Sequence, residues 1–170
     1  MPSSSVVRLG VLTKEALLVK LREAAVQMNV YATAFLFDER FVVSKTAYVL
    51  DVEICSLASL GLRDGGNFSQ VLAAALACGL HPCPAEVGPQ LRLQLLDQLE
   101  DRTGDDASEP GAPRGSITVA STPLKENDDD FPKGLYLRRL DGSLWLRGYR
   151  SWPGHIWRAA DVFAFARSNG

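Results

Sequence analysis

Leu135-Tyr136-Leu137-Arg138-Arg139-Leu140-Asp141-Gly142-Ser143-Leu144-Trp145-Leu146-Arg147-Gly148-Tyr149 is a pair of alternating runs about an Asp-Gly step. Asp-Gly between such runs is a strong hairpin signal, because a two-residue type I′ turn needs positive φ at both central positions. With Asp141-Gly142 as the loop, Leu140 opposes Ser143, Arg139 opposes Leu144, Arg138 opposes Trp145, Leu137 opposes Leu146 and Tyr136 opposes Arg147. Opposed residues share a face. One face then holds Leu135, Leu137, Leu144 and Leu146 and belongs against a core, with Arg139 near the turn, where its head reaches water. The other face holds Tyr136, Arg138, Trp145, Arg147 and Tyr149.

Beyond the hairpin, Arg150 to Arg158 adds Trp152, His155 and Trp157, and Val162, Phe163 and Phe165 suggest a last strand running to Arg167. Before it, Ser116 to Ala120 reads as a strand and Lys125 to Pro132 as an acidic loop. Residues 101–114 carry acids, prolines and glycines but almost nothing apolar, which predicts a mobile loop.

The N-terminal half supplies the helices. Thr13 to Met28 places Leu17, Leu21, Ala24 and Met28 at helical spacing behind a capping Thr13. Asn29 lies where that helix should end. Ala32 to Phe37 and Phe41 to Val43 look like short strands around Asp38-Glu39-Arg40. Tyr48 to Cys55 alternates as a half-buried strand does. Asp64-Gly65-Gly66 leads to Asn67, which with Gln70 forms a variant capping box for a second helix. Gly79 closes that helix in the position that favours a left-handed backbone. Leu91 to Leu95 leans toward a strand, although Leu91, Leu95 and Leu99 also suit a helix. The expectation is an α+β fold occupying residues 1–170 as a single domain. Two principal helices pack on a mostly antiparallel sheet of about five to seven strands, and a C-terminal β-hairpin completes it.

The chain has 170 residues, 46% hydrophobic and 22% charged, an ordinary globular composition. No apolar run approaches the roughly 20 residues of a membrane helix, and Met1 to Arg8 lacks the pattern of a signal peptide. Cys55, Cys78 and Cys83 are few and odd in number, as in reduced cytoplasmic proteins. Residues 1–132 hold 11 Lys and Arg against 18 Asp and Glu, whereas residues 133–170 hold 7 against 2. Such asymmetry suits either an acidic partner or internal pairing of the two segments.

Tyr136, Arg138, Trp145, Arg147, Tyr149, Trp152 and Trp157 are the candidate binding residues. Interleaved rings and guanidinium groups serve protein interfaces and single-stranded nucleic-acid platforms alike. They can also be buried beneath the acidic loops, with the arginines paired to Asp105, Asp106 or Asp128 to Asp130. The leading expectation is a non-enzymatic protein-interaction domain using this face. The alternatives are a small enzyme with a pocket near Cys83, Glu86 and His81, and a single-stranded nucleic-acid binder. Cys78, His81 and Cys83 lack a fourth zinc ligand unless Cys55 or His155 is recruited. Phosphate-binding glycine loops, nucleophile elbows and His-Glu-x-x-His motifs are absent from the sequence. No metal, cofactor, catalytic residue or membrane partner is expected, and the oligomeric state is left open.

From about Tyr48 the chain also resembles a family of small, uncharacterised bacterial proteins with no known activity. The resemblance rests on Cys83-Pro84-Ala85-Glu86-Val87-Gly88-Pro89-Gln90-Leu91-Arg92-Leu93-Gln94 with the preceding Leu80-His81-Pro82, on Leu144-Trp145-Leu146, and on Trp157 to Arg167. It covers about two-thirds of the chain and implies a bacterial cytoplasmic protein, without carrying over functional residues. That family has an aromatic followed by Asp-Gln-Pro where this chain has Leu95-Leu96-Asp97-Gln98-Leu99.

Overall fold

A computed structural model describes residues 2–102 and 111–168. Strands β1 (Ser3–Leu9), β2 (Gln27–Met28), β3 (Tyr48–Ser56), β4 (Leu80–His81), β5 (Ile117–Val119), β6 (Gly134–Leu140), β7 (Ser143–Tyr149) and β8 (Val162–Arg167) form one 8-stranded sheet. Helices α1 (Lys14–Glu23), α2 (Val30–Phe37), α3 (Phe68–Ala77) and α4 (Val87–Gln94) pack on it. Its order is β1-β3-β8-β5-β6-β7-β2, with β4 beside the end of β8. Two pairings among the described strands, β5 with β8 and β2 with β7, are parallel and the other five are antiparallel, so the sheet is mixed with antiparallel pairing predominating, as expected. No helix among the described residues is long and apolar enough to cross a membrane.

The hairpin is β6 and β7. Asp141 and Gly142 take φ of 50° and 75°, and the pairing runs from Leu140 with Ser143 to Gly134 with Tyr149, in the register the turn requires. It does not end the sheet. β2 adds parallel to its outer edge, and β8 lies at the centre, between β3 and β5.

Among the described residues four α-helices stand where two principal ones were expected, and eight strands where five to seven were. The first helix stops at Glu23, because Ala25 turns the chain with φ of 55°. Gln27 and Met28 then pair with Trp145 and Leu146. Asn29 begins the next helix instead of ending the last: its Oδ1 accepts the Ala32 N–H at 2.9 Å. The strand expected over Ala32 to Phe37 is therefore α2, which buries Ala32, Phe35 and Leu36 at helical spacing. Phe41 to Val43 is irregular; Phe41 is buried in the core. Leu91 to Leu95 belongs to α4 and its C-cap, so the strand reading fails there too. Pro89 sits in the first turn of α4, where its missing N–H removes no helical bond. Residues 103–110, most of the loop expected over 101–114, lie outside the described residues.

The sheet has a core on each face. The larger gathers Leu135, Leu137, Leu146, Val52 and Ala164 against Leu17, Leu21, Phe35, Val87 and Leu91. The smaller sets Cys55, Phe163 and Phe165 against Val71 and Ala75 of α3, with Trp157. Burial of apolar area on both sides is the main driving force, roughly 25 cal/mol per Å².

Two contacts join distant segments. Glu86 is 2% exposed; one carboxylate oxygen accepts the Gly10 N–H at 2.8 Å and the other the Ser44 N–H at 2.9 Å. Asn29 accepts the Gly148 N–H at 2.9 Å and donates to the Gly148 carbonyl at 3.0 Å, while capping α2. Gly148 is required by this docking: a Cβ there would lie 2.6 Å from the Tyr31 carbonyl carbon and 2.7 Å from Ala32 N, both backbone atoms. Gly148→Ala is accordingly expected to destabilise the fold by about 1–3 kcal/mol, as overpacking does. At Gly142 a Cβ meets nothing and only the positive φ objects, so Gly142→Ala is expected to cost about 1 kcal/mol. Thermal unfolding of the two variants followed by circular dichroism checks the ranking.

Candidate functional site

The Tyr-Arg-Trp-Arg-Tyr face of the hairpin is not the open platform the sequence suggested. Tyr136 is 8% and Arg138 5% exposed; Trp145, Arg147 and Tyr149 are half-buried. The Arg147 guanidinium lies 5.1 Å from the Trp145 ring and 6.0 Å from that of Tyr136, the arginine–aromatic stacking that the register allowed. The cause is the second core. This side of the sheet is covered instead of facing water, and the chain following β7 folds back over it.

That segment is held by backbone pairing. Trp157 N–H donates to Gly66 O at 2.9 Å and Gly66 N–H to Trp157 O at 3.0 Å. A Cβ on Gly65 would fall 2.0 Å from the Trp157 carbonyl oxygen, and Gly65 has φ of +76°; the Asp64-Gly65-Gly66 turn thus admits this approach. Asp161 fixes the other side. Its Oδ2 accepts the N–H groups of Arg158 at 2.8 Å and Ala112 at 3.0 Å, and its Oδ1 pairs with Arg158 Nη2 at 2.8 Å.

Trp157 is consequently 3% exposed and anchors a set of rings. Phe68 of α3 lies 5.8 Å away, Tyr149 6.3 Å, Phe163 5.7 Å and His155 4.3 Å. Trp152 packs edge-on to His155 at 5.1 Å but is itself 58% exposed. Four of these rings, Phe68, Tyr149, Trp152 and Trp157, line an open cleft of about 410 Å³. Trp157, Tyr149, Phe68 and Leu72 line its apolar side with Trp152; Glu126, Asn127, Asp129 and Lys133 contribute polar groups from the loop before β6. Ligand sites typically occupy about 300–1,000 Å³ with mostly apolar walls and a few polar groups.

Of the seven candidate residues, the fold brings Tyr149, Trp152 and Trp157 into this cleft and leaves Tyr136, Arg138, Trp145 and Arg147 outside its lining. Sequence reasoning missed Phe68 and Leu72, which lie in the helix that Asn67 caps. It also missed Glu126 and Asp129, which had registered only as an acidic loop. Burial raises the Tyr149 hydroxyl well above the ordinary tyrosine range and lowers His155, with Asp161 opposing the latter shift.

Of the trio Cys83, Glu86 and His81, Cys83 and Glu86 are buried and engaged with backbone groups. Both Glu86 oxygens are occupied by backbone N–H groups. The Cys83 thiol donates to the Ala164 carbonyl at 3.6 Å, and burial pushes it up to about 12, whereas a nucleophilic cysteine needs a depressed value. No cluster of three possible metal ligands occurs among the described residues. Arg92 of the same block is completely buried, and desolvation, aided by the charge of Arg139, lowers it to about 10.

No family model, curated protein or solved structure matches the chain.

The three thiols separate by environment: Cys78 is exposed, Cys55 and Cys83 are buried. An aromatic disulfide reagent at neutral pH is expected to titrate one thiol quickly and the other two only in denaturant. Rapid loss of a second thiol from the native protein contradicts the packing around Cys83.

Proposed function

We propose that the protein is a non-enzymatic binding protein that recognises another protein through the aromatic cleft, rather than through the hairpin face first singled out. The observation that carries the reading is Trp152, a large ring left 58% exposed at the mouth of a cleft whose other rings are packed in place. Tryptophan and tyrosine in partly desolvated pockets dominate the energetics of protein interfaces. A preformed cleft also avoids much of the ordering cost of binding. Leu76, one turn beyond Leu72, and Ile156, beside Trp157, are exposed as well, and they extend apolar surface past the cavity. The nucleic-acid reading is weaker, since the hairpin arginines it needs are buried or stacked and the cleft is edged by acids. Three free thiols fit the bacterial cytoplasm that the sequence resemblance implies.

Selection of peptides from a random display library against the purified protein tests this reading. Enriched peptides are expected to bind at least about tenfold more weakly to Trp152→Ala, a change at an exposed side chain. They are expected to bind Trp145→Ala/Arg147→Ala as they bind the parent protein. Equal binding to Trp152→Ala, or loss of binding only in the hairpin double variant, moves the contact surface away from the cleft.

A further inference from the structure

Resting on that reading of the cleft, we infer that its occupant is the cationic head of an arginine or lysine side chain presented by a partner's extended segment. Three features of the lining select a cation. First, the cleft offers ring surface at Trp152 and Tyr149, and the faces of aromatic rings attract positive charge. The molecule already uses this contact nearby: Lys125 Nζ stands 4.3 Å from the Phe131 ring centre and the Arg150 guanidinium 5.5 Å from that of Tyr31.

Second, the cation that lines the cleft is already committed. Lys133 Nζ donates to the Asp128 carbonyl at 2.8 Å and pairs with Asp129 at 3.4 Å, its side chain 16% exposed. Arg150, on the flank, is paired with Asp130 at 3.1 Å. Burial holds the pKa of His155 below the usual histidine value, so the imidazole between Trp152 and Trp157 adds no cation at neutral pH.

Third, Glu126 is left over. It is exposed, lines the cleft and has no ion pair with another described residue. The loop thus contributes to the cleft that the rings line one carboxylate without an ion pair among the described residues. An anionic group entering here meets that carboxylate, and a neutral one leaves it unused; a guanidinium or ammonium satisfies carboxylate and rings together. Leu76, one turn beyond Leu72 on α3, and Ile156, next to Trp157 in the chain, are exposed apolar side chains that adjoin lining residues, which favours a peptide segment over a free small cation.

The test uses three capped tripeptides, acetyl-Pro-X-Pro-amide, with arginine, citrulline or norleucine as X. Citrulline keeps the shape and removes the charge. Binding is read from the indole N–H resonances of the protein at millimolar peptide, with Trp145, outside the cleft, as internal reference. The arginine peptide is expected to shift Trp152 and to bind at least about fivefold more tightly than the citrulline peptide. Glu126→Gln is expected to abolish that preference while leaving the citrulline affinity and the peptide-free indole spectrum unchanged. If citrulline and norleucine peptides bind as well as arginine, or if Glu126→Gln preserves the preference, the cation assignment falls while the cleft remains a binding surface. If no peptide moves Trp152 whereas library-selected peptides do, the assignment falls alone. If neither does, the cleft is not the recognition surface.

Discussion

Two buried charges at opposite ends of one short helix govern how this chain closes. Glu86 immediately precedes α4 and Arg92 lies near its end; both Glu86 oxygens and both terminal nitrogens of Arg92 meet groups of opposite polarity that carry no full charge, while Arg92 Nε is buried without a partner. Glu86 draws the Gly10 and Ser44 N–H groups to itself. Arg92 donates to the Trp145 carbonyl at 3.3 Å, to the Leu95 carbonyl, and to Gln98 Oε1 at 2.6 Å. Gln98 in turn donates to the carbonyls of Gly115 at 2.9 Å and Leu137 at 3.1 Å. Withdrawing such a polar head from water is costly, and hydrogen bonds of this kind offset the cost. The positions of the β1–α1 connection, the segment at Ser44, β6, β7 and the turn at Gly115 are therefore tied to a single helix. Glu86 and Arg92 of the Pro84 to Gln94 block thus both bind main-chain groups that lie far away in the sequence.

The same constraint makes the hairpin a fixed frame. Its leucine face is pinned by α4 and α2, so its other face can support a second core, and the rings of that core become the floor of a cleft. Trp157 is immobilised by pairing to Gly66 and by its neighbouring rings, and Asp161 holds the returning chain through Arg158 and Ala112. Of the three tryptophans only Trp152 is exposed. The surface thus combines half-buried rings packed against the core with one exposed tryptophan, an economical arrangement for recognition because little has to be ordered on contact.

What the sequence made legible was governed by local geometry. The register of Asp141-Gly142, the Asn67–Gln70 capping box and the Thr13 cap each depend on residues within a few positions, and each occurs as read. The misread elements were short apolar runs. Ala32 to Phe37 and Leu91 to Leu95 suit either period, and their choice was made elsewhere, by Gly148 receiving Asn29 and by the buried partners of Arg92. Asn29 was a visible cap signal, but the continuous amphipathic pattern before it made it look like a helix end. The site was half-legible for the same reason. Tyr149, Trp152 and Trp157 cluster in sequence, whereas Phe68 and Leu72 reach them only through the packing of α3, and alternation along β6 and β7 cannot say that both faces of a sheet will be covered.

The placement of β8 bears on how the polypeptide can be made. Among the described residues, β1–β3 on one side and β5–β6–β7–β2 on the other meet in the sheet through residues 162–167. Until that segment leaves the ribosome, two partial sheets stand with unpaired inner edges, and such edges invite pairing between chains. Closure then inserts one strand between two, antiparallel to β3 and parallel to β5, a step dominated by contacts between distant parts of the chain and therefore slow compared with forming the hairpin. Biosynthesis of this protein thus includes an interval in which the hairpin and helices can form while the central seam stays open, and a chaperone that shields strand edges has its greatest effect there.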